Sequence, residues 1–521
     1  AAPTFAGGLL TNTNQHVAFN RMMSREASIG IDGVYYNPAG VVFMGEGHHL
    51  AINWQLAYQT RTINNDYKLF TNNVNNPITP RDFKGKAFAP VIPSFQYAYN
   101  KGKWSFQANF SLTGGGGKCT FDDGLGSFEK IVSETAIAAC GLAGVVDQTL
   151  GNKLGQPGME MFTSDQAFGK TGKYSFNSYM HGRQYYYGLS AGAAYKFCDN
   201  FSAFLGVRGV YALTNYYGYV ENINVGNMPL YKVLDPTKEN AANIELSCDQ
   251  TGVGFTPIIG VDYKTGRWNF SAKYEFKTRI RLKNKSVNQT PSIGNLPANL
   301  ANQMTGILTA RYQQAGLPLE QAKQQAENTT NAVLNDPTVG ATMMGLKTQF
   351  DQKLNKAIGE YEDGKKIAGD IPGYLALGIG YSPVDAVRVN VGFHWFDDKN
   401  ATSYNNRNKE LKRGTLEYNA GVEVDVNKKI TLSTGWQNTN YGLSDEYMDD
   451  KSFVVSSNSA AIGGVYHINK KMDLNVAYFH TFYQHKKTSE TVQLAADKSI
   501  VYNSDYTRNN NVFAVGLDIN F

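Results

Sequence analysis

Acidic side chains alternate with apolar ones in residues 416–426, so that Glu417, Glu423 and Asp425 fall on one face of an extended chain. Carboxylates arranged this way could act as general acid and base, bind a metal ion, or pair with Arg and Lys. The chain shows no nucleophile elbow, phosphate-binding loop or paired-carboxylate signature, and no motif supports the alternative of a Ser-His enzyme. We therefore interpret these carboxylates as part of a solvated wall that pairs with basic residues, and we expect no enzymatic activity.

Histidines lack the spacing of a metal site as well. His48 and His49 are adjacent, and the others considered are scattered at His181, His394, His467, His480 and His485. We expect neither a metal ion nor a cofactor.

The segment that carries the carboxylates is one of several that alternate in polarity with a period of two, as strands with two different environments do. At the C-terminus, Phe513 and Val515 are apolar while Ala514 and Gly516 are small. The same alternation occurs in residues 104–113, 268–277, 387–395, 430–436 and 472–478. Abundant Gly (52), Tyr (32) and Phe (28) also favour strands and tight turns over helices.

Short and long connections between these segments set the number of strands. Six short polar turns begin at Asn100, Cys198, Lys264, Pro383, Asn427 and Asn469. Seven long polar connections lie near residues 62–90, 114–183, 220–249, 284–371, 398–413, 439–451 and 487–507. Thirteen connections imply fourteen antiparallel strands with short turns at one rim and long loops at the other, which is typical of a transmembrane β-barrel.

The charges on the polar faces favour a membrane barrel over a soluble β-sandwich or propeller. Fourteen strands enclose a lumen too wide for side chains alone to fill, so we expect the apolar face to meet lipid and the charged face to line the interior. A net charge of +5 from 49 basic and 44 acidic residues is too diffuse to indicate a nucleic-acid partner. No apolar run reaches the roughly 18 residues of a transmembrane helix. The opening AAPTFAGG suits a mature end left after signal cleavage, although a cytosolic protein could also begin this way.

Residues 1–45 precede the first strand and are the natural plug of the lumen, with residues 46–521 forming the barrel. Near the end of the plug lie Asn37, Pro38, Ala39 and Gly40, a turn-forming sequence. Taken alone, these four residues would be interpreted as a simple turn. Its place directly before the first strand favours a joint between plug and wall, which could act as a gate.

At two places the chain resembles the FadL/TodX-type outer-membrane transporters of long-chain fatty acids and other hydrophobic compounds. Residues 19–41, FNRMMSREASIGIDGVYYNPAGV, look like that family's N-terminal hatch, and residues 91–117, VIPSFQYAYNKGKWSFQANFSLTGGGG, are similar to its second and third strands. The resemblance implies a bacterial outer-membrane barrel of fourteen strands with a hatch in the lumen and long extracellular loops, one of them helical near residues 284–371.

The function that this resemblance implies is passive uptake of hydrophobic molecules, with fatty acids as the default. The ligand, whether a fatty acid, lipid or detergent, would be captured by the extracellular loops, admitted past the hatch, and released sideways through the wall near the third strand. The surrounding partners would be outer-membrane lipid and lipopolysaccharide, and the barrel would act as a monomer. The alternatives are a binding or scaffold barrel for protein export or cell-surface attachment, with a protein partner at the extracellular loops, and a hydrophilic porin.

The kink that would open the wall has two candidate positions. Gly114 and Gly115 end the third alternating segment, where glycines mark a bend, or equally a flexible start of the next loop. Asn109 and Phe110 are the earlier candidate.

Apolar residues at three- and four-residue steps predict helices in the fourth long loop. They could form an apolar cup for ligand at the barrel mouth, or pack on each other or on the second loop. The candidate contacts are Met304, Ile307, Met343, Leu346 and Phe350.

Four cysteines are present, and one is separated from the rest. Cys198 lies in a short turn, roughly the 30 Å thickness of a bilayer away from the long loops, and should not form a disulfide. Cys119 and Cys140 share one loop and are the best candidates for a disulfide, with Cys248 as a competing partner.

Overall fold

Fourteen antiparallel strands form a closed barrel, as the turn count predicts. The structure is a computed structural model that describes residues 9–291, 293–495 and 498–521. Of Gly116 and Ala495 it describes only the backbone. The last strand closes the barrel by pairing with the first, from His49 opposite Asn520 to Tyr67 opposite Tyr502. The strands are β1 Gly47–Tyr67, β2 Arg81–Lys101, β3 Trp104–Phe121, β4 Tyr174–Cys198, β5 Phe201–Val225, β6 Ile244–Thr265, β7 Trp268–Glu275, β8 Tyr374–Val384, β9 Val387–Phe396, β10 Thr415–Asn427, β11 Ile430–Asn440, β12 Ser457–Asn469, β13 Met472–Tyr483 and β14 Lys498–Asn520.

Shorter strands extend the barrel at the long-loop rim. Arg281–Gln289 continues β7 after an interruption, and it pairs with the same neighbour, β6. Lys366–Ala368 precedes β8 and pairs with that continuation, while Lys486–Ala495 forms a hairpin with β14. A two-residue strand, Met228–Pro229, pairs with the end of β5.

The six short turns lie where the sequence predicts them, but the strands run further into the long connections than expected. β3 continues to Phe121 and β4 begins at Tyr174, so the second long loop is shorter than residues 114–183. Alternation of side-chain polarity with a period of two indicates a strand only where the two faces of the strand differ in polarity. The alternation is lost where both faces meet water. Backbone pairing continues there without that signal.

The two faces of the wall differ as predicted. On β10, Glu417 and Asn419 are buried towards the interior, while Tyr418 and Val424 are 47% and 37% exposed on the outside. A belt of exposed apolar side chains around a polar interior is the arrangement of a barrel that spans a membrane.

In the described part of the chain, the helices lie in the plug and in the long loops. The α-helices are α1 Val17–Met22, α2 Gly33–Tyr36, α3 Gly126–Leu154, α4 Tyr231–Leu234, α5 Leu296–Gln314, α6 Leu319–Leu334 and α7 Pro337–Ile358. Short 3-10 helices lie at Gly40–Phe43, Lys68–Asn72, Ile293–Asn295, Gly359–Tyr361, Asp398–Asn400 and Tyr404–Glu410. Helices α5 and α7 match the periodicity of the fourth loop.

Helix α3 was not expected, because the second long loop was interpreted as irregular. It is long and apolar enough to cross a membrane by length and composition, contrary to the expectation from apolar runs, but half of its most apolar stretch is buried within the protein. Its apolar side packs on α6, on α7 and on the end of β5, and these elements share a hydrophobic core above the barrel with α4 and α5.

Residues 9–46 precede β1, and most of them lie inside the barrel. Residues 11–27 and 31–42 are buried, with α1 against β11 to β14 and the 3-10 helix Gly40–Phe43 against β3, β4 and β6. Residues 1–8 of the predicted plug lie outside the described residues. The part that is described fills the lumen, as the fold prediction requires.

Candidate functional site

Strands β2 and β3 lose their backbone pairing over a short stretch of the wall. Phe95 lies opposite Phe110 and Phe88 lies opposite Lys118, but residues 89–94 and 111–117 between these pairs form no described ladder with each other. Over the same stretch β2 remains paired with β1, and β3 with β4. The wall is therefore interrupted between two strands that are each held on their other side. We call this stretch the wall gap.

The residues at the wall gap explain why pairing fails there. Pro90 and Pro93 lie within β2 and supply no backbone N–H to a neighbouring strand. On β3, Gly115 adopts a positive φ of 73°, and a Cβ at this position would collide with the carbonyl oxygen of Gln184. Strand β3 also shifts its register against β4 on either side of Gly115. Both strands are thus shaped by residues that do not suit a regular ladder.

Residues 11–15 of the plug, which we call the seal segment, cover the wall gap from inside. Thr11 forms an antiparallel bridge with Gly114, and the Asn12 backbone N–H donates to Thr113 O at 2.9 Å. The Asn12 Nδ2 donates to Gly115 O at 2.6 Å. The side chain of Gln15 donates to a further β3 carbonyl, that of Leu112, at 2.7 Å. The seal segment therefore takes the hydrogen-bonding place that β2 leaves vacant.

The outer side of the wall gap is apolar. Val91 is 62% exposed, and Phe88 and Phe95 flank it on the same strand with exposures of 55% and 40%. The carbonyl of Pro90 accepts a hydrogen bond from the Trp54 indole at 2.9 Å, so this backbone acceptor is satisfied beside the lipid-facing surface. A molecule leaving the lumen here would meet an apolar surface.

The predicted gate residues Asn37, Pro38, Ala39 and Gly40 hold the plug to the wall. Asn37 Nδ2 donates to Asp262 Oδ2 of β6 at 2.6 Å, and Asn37 Oδ1 accepts from the Gly40 N–H at 3.2 Å. The carbonyls of Pro38 and Ala39 accept side-chain hydrogen bonds from β3 and β5, at 2.7 Å each. These contacts describe a joint. A gating role for the four residues stays a prediction.

Charged side chains fix the middle of the plug to the opposite wall. Buried His394 on β9 lies between two carboxylates, with Nε2 2.7 Å from Glu26 Oε1 of the plug and Nδ1 2.8 Å from Glu417 Oε2 of β10. Plug Arg21 pairs with Glu423, which also pairs with Arg388 at 2.7 Å. The interpretation of these carboxylates as a wall paired with basic residues therefore agrees with their contacts.

Neutral groups, in contrast, fasten the seal segment to the rest of the plug. Tyr35 Oη donates to Asn12 O at 3.0 Å, and Tyr36 Oη donates to Thr13 O at 2.6 Å. The Gln15 N–H donates to Tyr36 Oη at 2.8 Å. The plug thus has a part held by ion pairs and a part held by uncharged hydrogen bonds.

A narrow apolar cavity of about 60 Å³ lies among the extracellular loops, between helices α3, α4, α5 and α7. Leu346 and Phe350 line it, whereas Met304 is fully buried between helices and Met343 packs at the margin of the same core. Ile307 is 41% exposed on the outer side of α5. Packing of loop four on loop two and an apolar cavity therefore coexist, and ligand contact by any of these residues stays a prediction.

Both candidate kink positions border the wall gap. Asn109 and Phe110 form the last regular pairs with β2 before pairing is lost, and Gly114 and Gly115 lie within the unpaired stretch. Pairing with β2 is therefore lost just beyond Phe110, and a kink that opens the wall there stays a prediction.

The predicted disulfide between Cys119 and Cys140 is not present, and both thiols are free. Because β3 runs on to Phe121, Cys119 belongs to the barrel wall and not to the loop. Cys140 lies 14 residues along α3 from Gly126, about 21 Å of helix, and its thiol contacts Phe168 O at 3.4 Å. Among the described residues, no group of three or more His, Cys, Asp or Glu side chains is placed to hold a metal ion.

The seal segment and the two prolines were missed by the sequence reasoning. Proline inside a strand is a recognisable signal of lost pairing, and Pro93 carries it, whereas Pro90 lies at the end of a predicted long connection. Asn12 and Gln15 gave no comparable signal, because amides are common in any polar segment.

Comparison with known proteins identifies the fold. No family model matches the chain, and no curated protein matches it in sequence. Among solved structures, a FadL homologue of Pseudomonas aeruginosa is 13% identical, with a TM-score of 0.59 over 99% of this chain and 100% of that one. The TodX deltaS2S3 mutant, a monoaromatic hydrocarbon channel, is 12% identical, with a TM-score of 0.52 over 97% and 99%. The chain therefore has the fold of the FadL-type outer-membrane barrels.

Proposed function

We propose that this barrel lies in the bacterial outer membrane and takes up small hydrophobic molecules by passive diffusion, without an enzymatic step. The observation that carries the proposal is the wall gap between β2 and β3, covered inside by the seal segment and bordered outside by apolar side chains. A hydrophilic porin would have no use for an opening towards lipid. An apolar molecule gains free energy by entering lipid directly, because it avoids the water of the periplasm.

The route begins at the extracellular loops. The apolar cavity between α3 and α7 captures the molecule, and a second apolar cavity, of about 50 Å³, continues towards β4 and β5. Ile131, Val132 and Ile244 border both cavities, so movement of these three side chains would join them. Both cavities are narrow, and the loop helices must separate to admit cargo.

The seal segment is the gate. Displacing residues 11–15 from β3 breaks uncharged hydrogen bonds, each worth about 1 kcal/mol net, and leaves the ion pairs of the plug intact. Binding of cargo above the plug can offset such a cost, since a ligand shifts an equilibrium by its difference in affinity for the two states. The Asn37 to Gly40 joint then serves as the fixed point about which the seal segment moves.

Long-chain fatty acids are the default cargo, with monoaromatic hydrocarbons as the second class to be tested. The barrel acts as a monomer in this proposal, surrounded by outer-membrane lipid and lipopolysaccharide, because each step uses residues of one chain.

Restoring backbone donors to β2 tests the exit. In the double variant Pro90→Val and Pro93→Val, two N–H groups return to the strand, so we expect closer pairing with β3 and several-fold slower uptake into proteoliposomes. The variant Pro383→Val, at the exposed short-turn rim of β8, is the matched control. Uptake of a fluorescent long-chain fatty acid and of a monoaromatic hydrocarbon is measured in parallel.

Hydrogen exchange at residues 89–94 reports independently whether pairing is restored. Unchanged uptake in a double variant whose residues 89–94 have become protected would overturn the lateral exit. Wild-type proteoliposomes that take up neither compound faster than empty liposomes would overturn the transport function and favour the scaffold alternative.

A further inference from the structure

Basic side chains occupy the outer face of the chain where β7 resumes towards the long-loop rim. Residues 279–285 have the sequence RIRLKNK, in which every second residue is basic. The basic members are Arg279, Arg281, Lys283 and Lys285. Between them, Ile280 and Leu282 are 0% and 4% exposed and pack in an apolar core on the inner side of the wall. Because successive side chains of a strand point to opposite faces, the basic ones point outwards.

A fifth basic residue extends this surface onto the neighbouring strand. Lys366 lies opposite Lys283 in the register, and both side chains are exposed. We call Arg279, Arg281, Lys283, Lys285 and Lys366 the basic stripe.

Acidic residues near the basic stripe neutralise only part of its charge. Asp370 accepts a hydrogen bond from Arg281 Nη1 at 2.9 Å. Asp249 lies opposite Lys285 but accepts from Asn215 Nδ2 at 2.8 Å, and it forms no ion pair with a described lysine. Apart from Arg281, the members of the basic stripe form no ion pair with any described residue. A surplus of positive charge therefore faces the surroundings of the barrel.

The adjacent strand, β6, shows how high on the wall this charge lies. Its outward side chains from Tyr263 to Val253 are apolar, and those of Phe255 and Val253 are 70% and 63% exposed. These ten residues, at about 3.3 Å each and tilted by about 40°, span about 25 Å along the barrel axis, which is the height of the apolar band of an outer-membrane barrel. The lipid-facing surface of β6 thus ends at Val253.

The basic stripe begins beside the top of that band and continues above it. Lys283 is opposite Thr251, the first outward residue of β6 beyond Val253. Arg281 is lower, since its carbonyl would lie 3.0 Å from a Cβ placed on Gly252. Long basic side chains cover apolar surface with their stems and keep the charge at the polar boundary. The five charges therefore lie where lipid head groups begin.

Height alone does not impose positive charge on the wall. At the corresponding end of other strands, the outward side chains are neutral amides. Examples are Asn440 of β11, Asn458 of β12 and Asn509 of β14.

We propose that the basic stripe binds the phosphorylated head group of a glycolipid in the outer leaflet, which in the outer membrane is lipopolysaccharide. A guanidinium matches two oxygens of a phosphate group, and ammonium groups add compact positive charge. Alternate residues of a strand are about 6.6 Å apart, so neighbouring members reach different oxygens of one head group. The apolar surface of Val253 and Phe255 directly below favours a lipid over a soluble anion, because it receives the acyl chains.

This assignment rests on the outer-membrane location proposed above, and it does not depend on the uptake of any cargo. Native mass spectrometry of the full-length protein tests it, in a nonionic detergent and after copurified lipid has been washed away. The probes are lipid A, which is the acylated and phosphorylated anchor of lipopolysaccharide, the same lipid without its phosphates, and inorganic phosphate. The thermal midpoint at constant ionic strength is a second readout, because a ligand that binds only the folded protein raises it.

The wild type should bind lipid A and bind the dephosphorylated lipid on the order of tenfold more weakly or less. The double variant Lys283→Gln and Lys285→Gln should lose binding of lipid A by a similar factor. Lys470→Gln with Lys471→Gln is the matched control, since it makes the same change of charge at exposed positions in a short turn at the opposite rim. The control should bind as the wild type does, and both double variants should keep the wild-type thermal midpoint when no lipid is present.

Equal affinity of the wild type for the two lipids would overturn the proposal. Equal binding of lipid A by the two double variants would do the same. Inorganic phosphate that raises the thermal midpoint as much as lipid A at the same concentration would show a site for soluble anions and would overturn the lipid as occupant. No cargo is present in these measurements, so their outcome is separate from that of the uptake assay.

Discussion

Replacing Asn12 with alanine should open the wall gap more often without unfolding the barrel. The Asn12 side chain donates to Gly115 O at 2.6 Å and, more weakly, to Leu112 O at 3.3 Å. Leu112 O keeps a second donor, Gln15 Nε2, whereas Gly115 O loses the described side-chain donor that reaches it. The substitution therefore removes a hydrogen bond that holds the seal segment to the interrupted part of β3.

The expected magnitude follows from these contacts. Leaving one buried acceptor unsatisfied costs about 1–3 kcal/mol. Part of that cost is offset, because Asn12 Oδ1 is itself buried without a hydrogen-bond partner among the described residues, and alanine removes it. A net loss of about 1–2 kcal/mol makes the open state roughly 5–30 times more populated.

Hydrogen exchange of the backbone amides in the seal segment, above all that of residue 12, which donates to Thr113 O, measures this population directly, because exchange of protected amides follows the opening equilibrium. The matched control is Asn14→Ala, two residues away in the same seal segment. Asn14 Nδ2 donates to Gln55 Oε1 of β1 at 2.9 Å and does not contact β3 through that group. We expect roughly 5–30-fold faster exchange in Asn12→Ala and wild-type exchange at these residues in Asn14→Ala.

Equal acceleration in the two variants would refute the reasoning, since it would mean that the whole plug loosens and that no local seal exists. So would unchanged exchange in Asn12→Ala. The barrel's resistance to unfolding in detergent should remain that of the wild type in both variants, which separates local opening from loss of the fold.

Three further predictions concern the wall, the loops and pH. Gly115→Ala should lower stability by about 1–2 kcal/mol or more, because an L side chain at positive φ is strained and would meet the Gln184 carbonyl; denaturant unfolding measures it. Leu346→Trp should fill part of the loop cavity, so uptake at low cargo concentration should fall several-fold while the rate at saturating cargo changes little. Burial raises the pKa of Asp398, in the loop between β9 and β10, to about 6. The folded protein therefore favours the protonated carboxyl, so this group's contribution to stability should rise as pH falls through 6, and Asp398→Asn should flatten the thermal midpoint between pH 7 and pH 4.

The sequence was sufficient for the barrel because the membrane imposes two different environments on each strand. The alternation of Glu417 with Tyr418 follows from one face in the polar lumen and one towards lipid, and the turns at Asn427 and Asn469 follow from the narrow rim. Above the membrane this constraint is lost. Strand β3 therefore continues through Cys119 without alternation in polarity. The disulfide prediction assumed that Cys119 lies in the loop, so it was wrong for the same reason.

The site was harder to predict because it depends on contacts distant in sequence. Thr11 and Gly114 are adjacent only because the plug folds back into the lumen, and no local pattern in either segment reports that approach. The ion pairs of Glu423 were foreseeable in kind, since charges in a lumen must be paired. Their partner Arg21 could not be identified from the sequence, since one carboxylate could pair with any of several basic residues.

The distribution of charge within the plug decides which part of it can move. Breaking a buried ion pair by removing one partner typically costs about 3–5 kcal/mol, so Arg21 and Glu26 resist displacement from the wall. Each neutral hydrogen bond of the seal segment contributes about 1 kcal/mol. A cargo that binds weakly enough to be released can supply a few kcal/mol of differential affinity, which is comparable with the four hydrogen bonds from Asn12 and Gln15 to β3 and is too little for the charged part. The plug can therefore stay in the barrel during transport, and the moving part reduces to the short segment that already pairs with the edge of the wall gap.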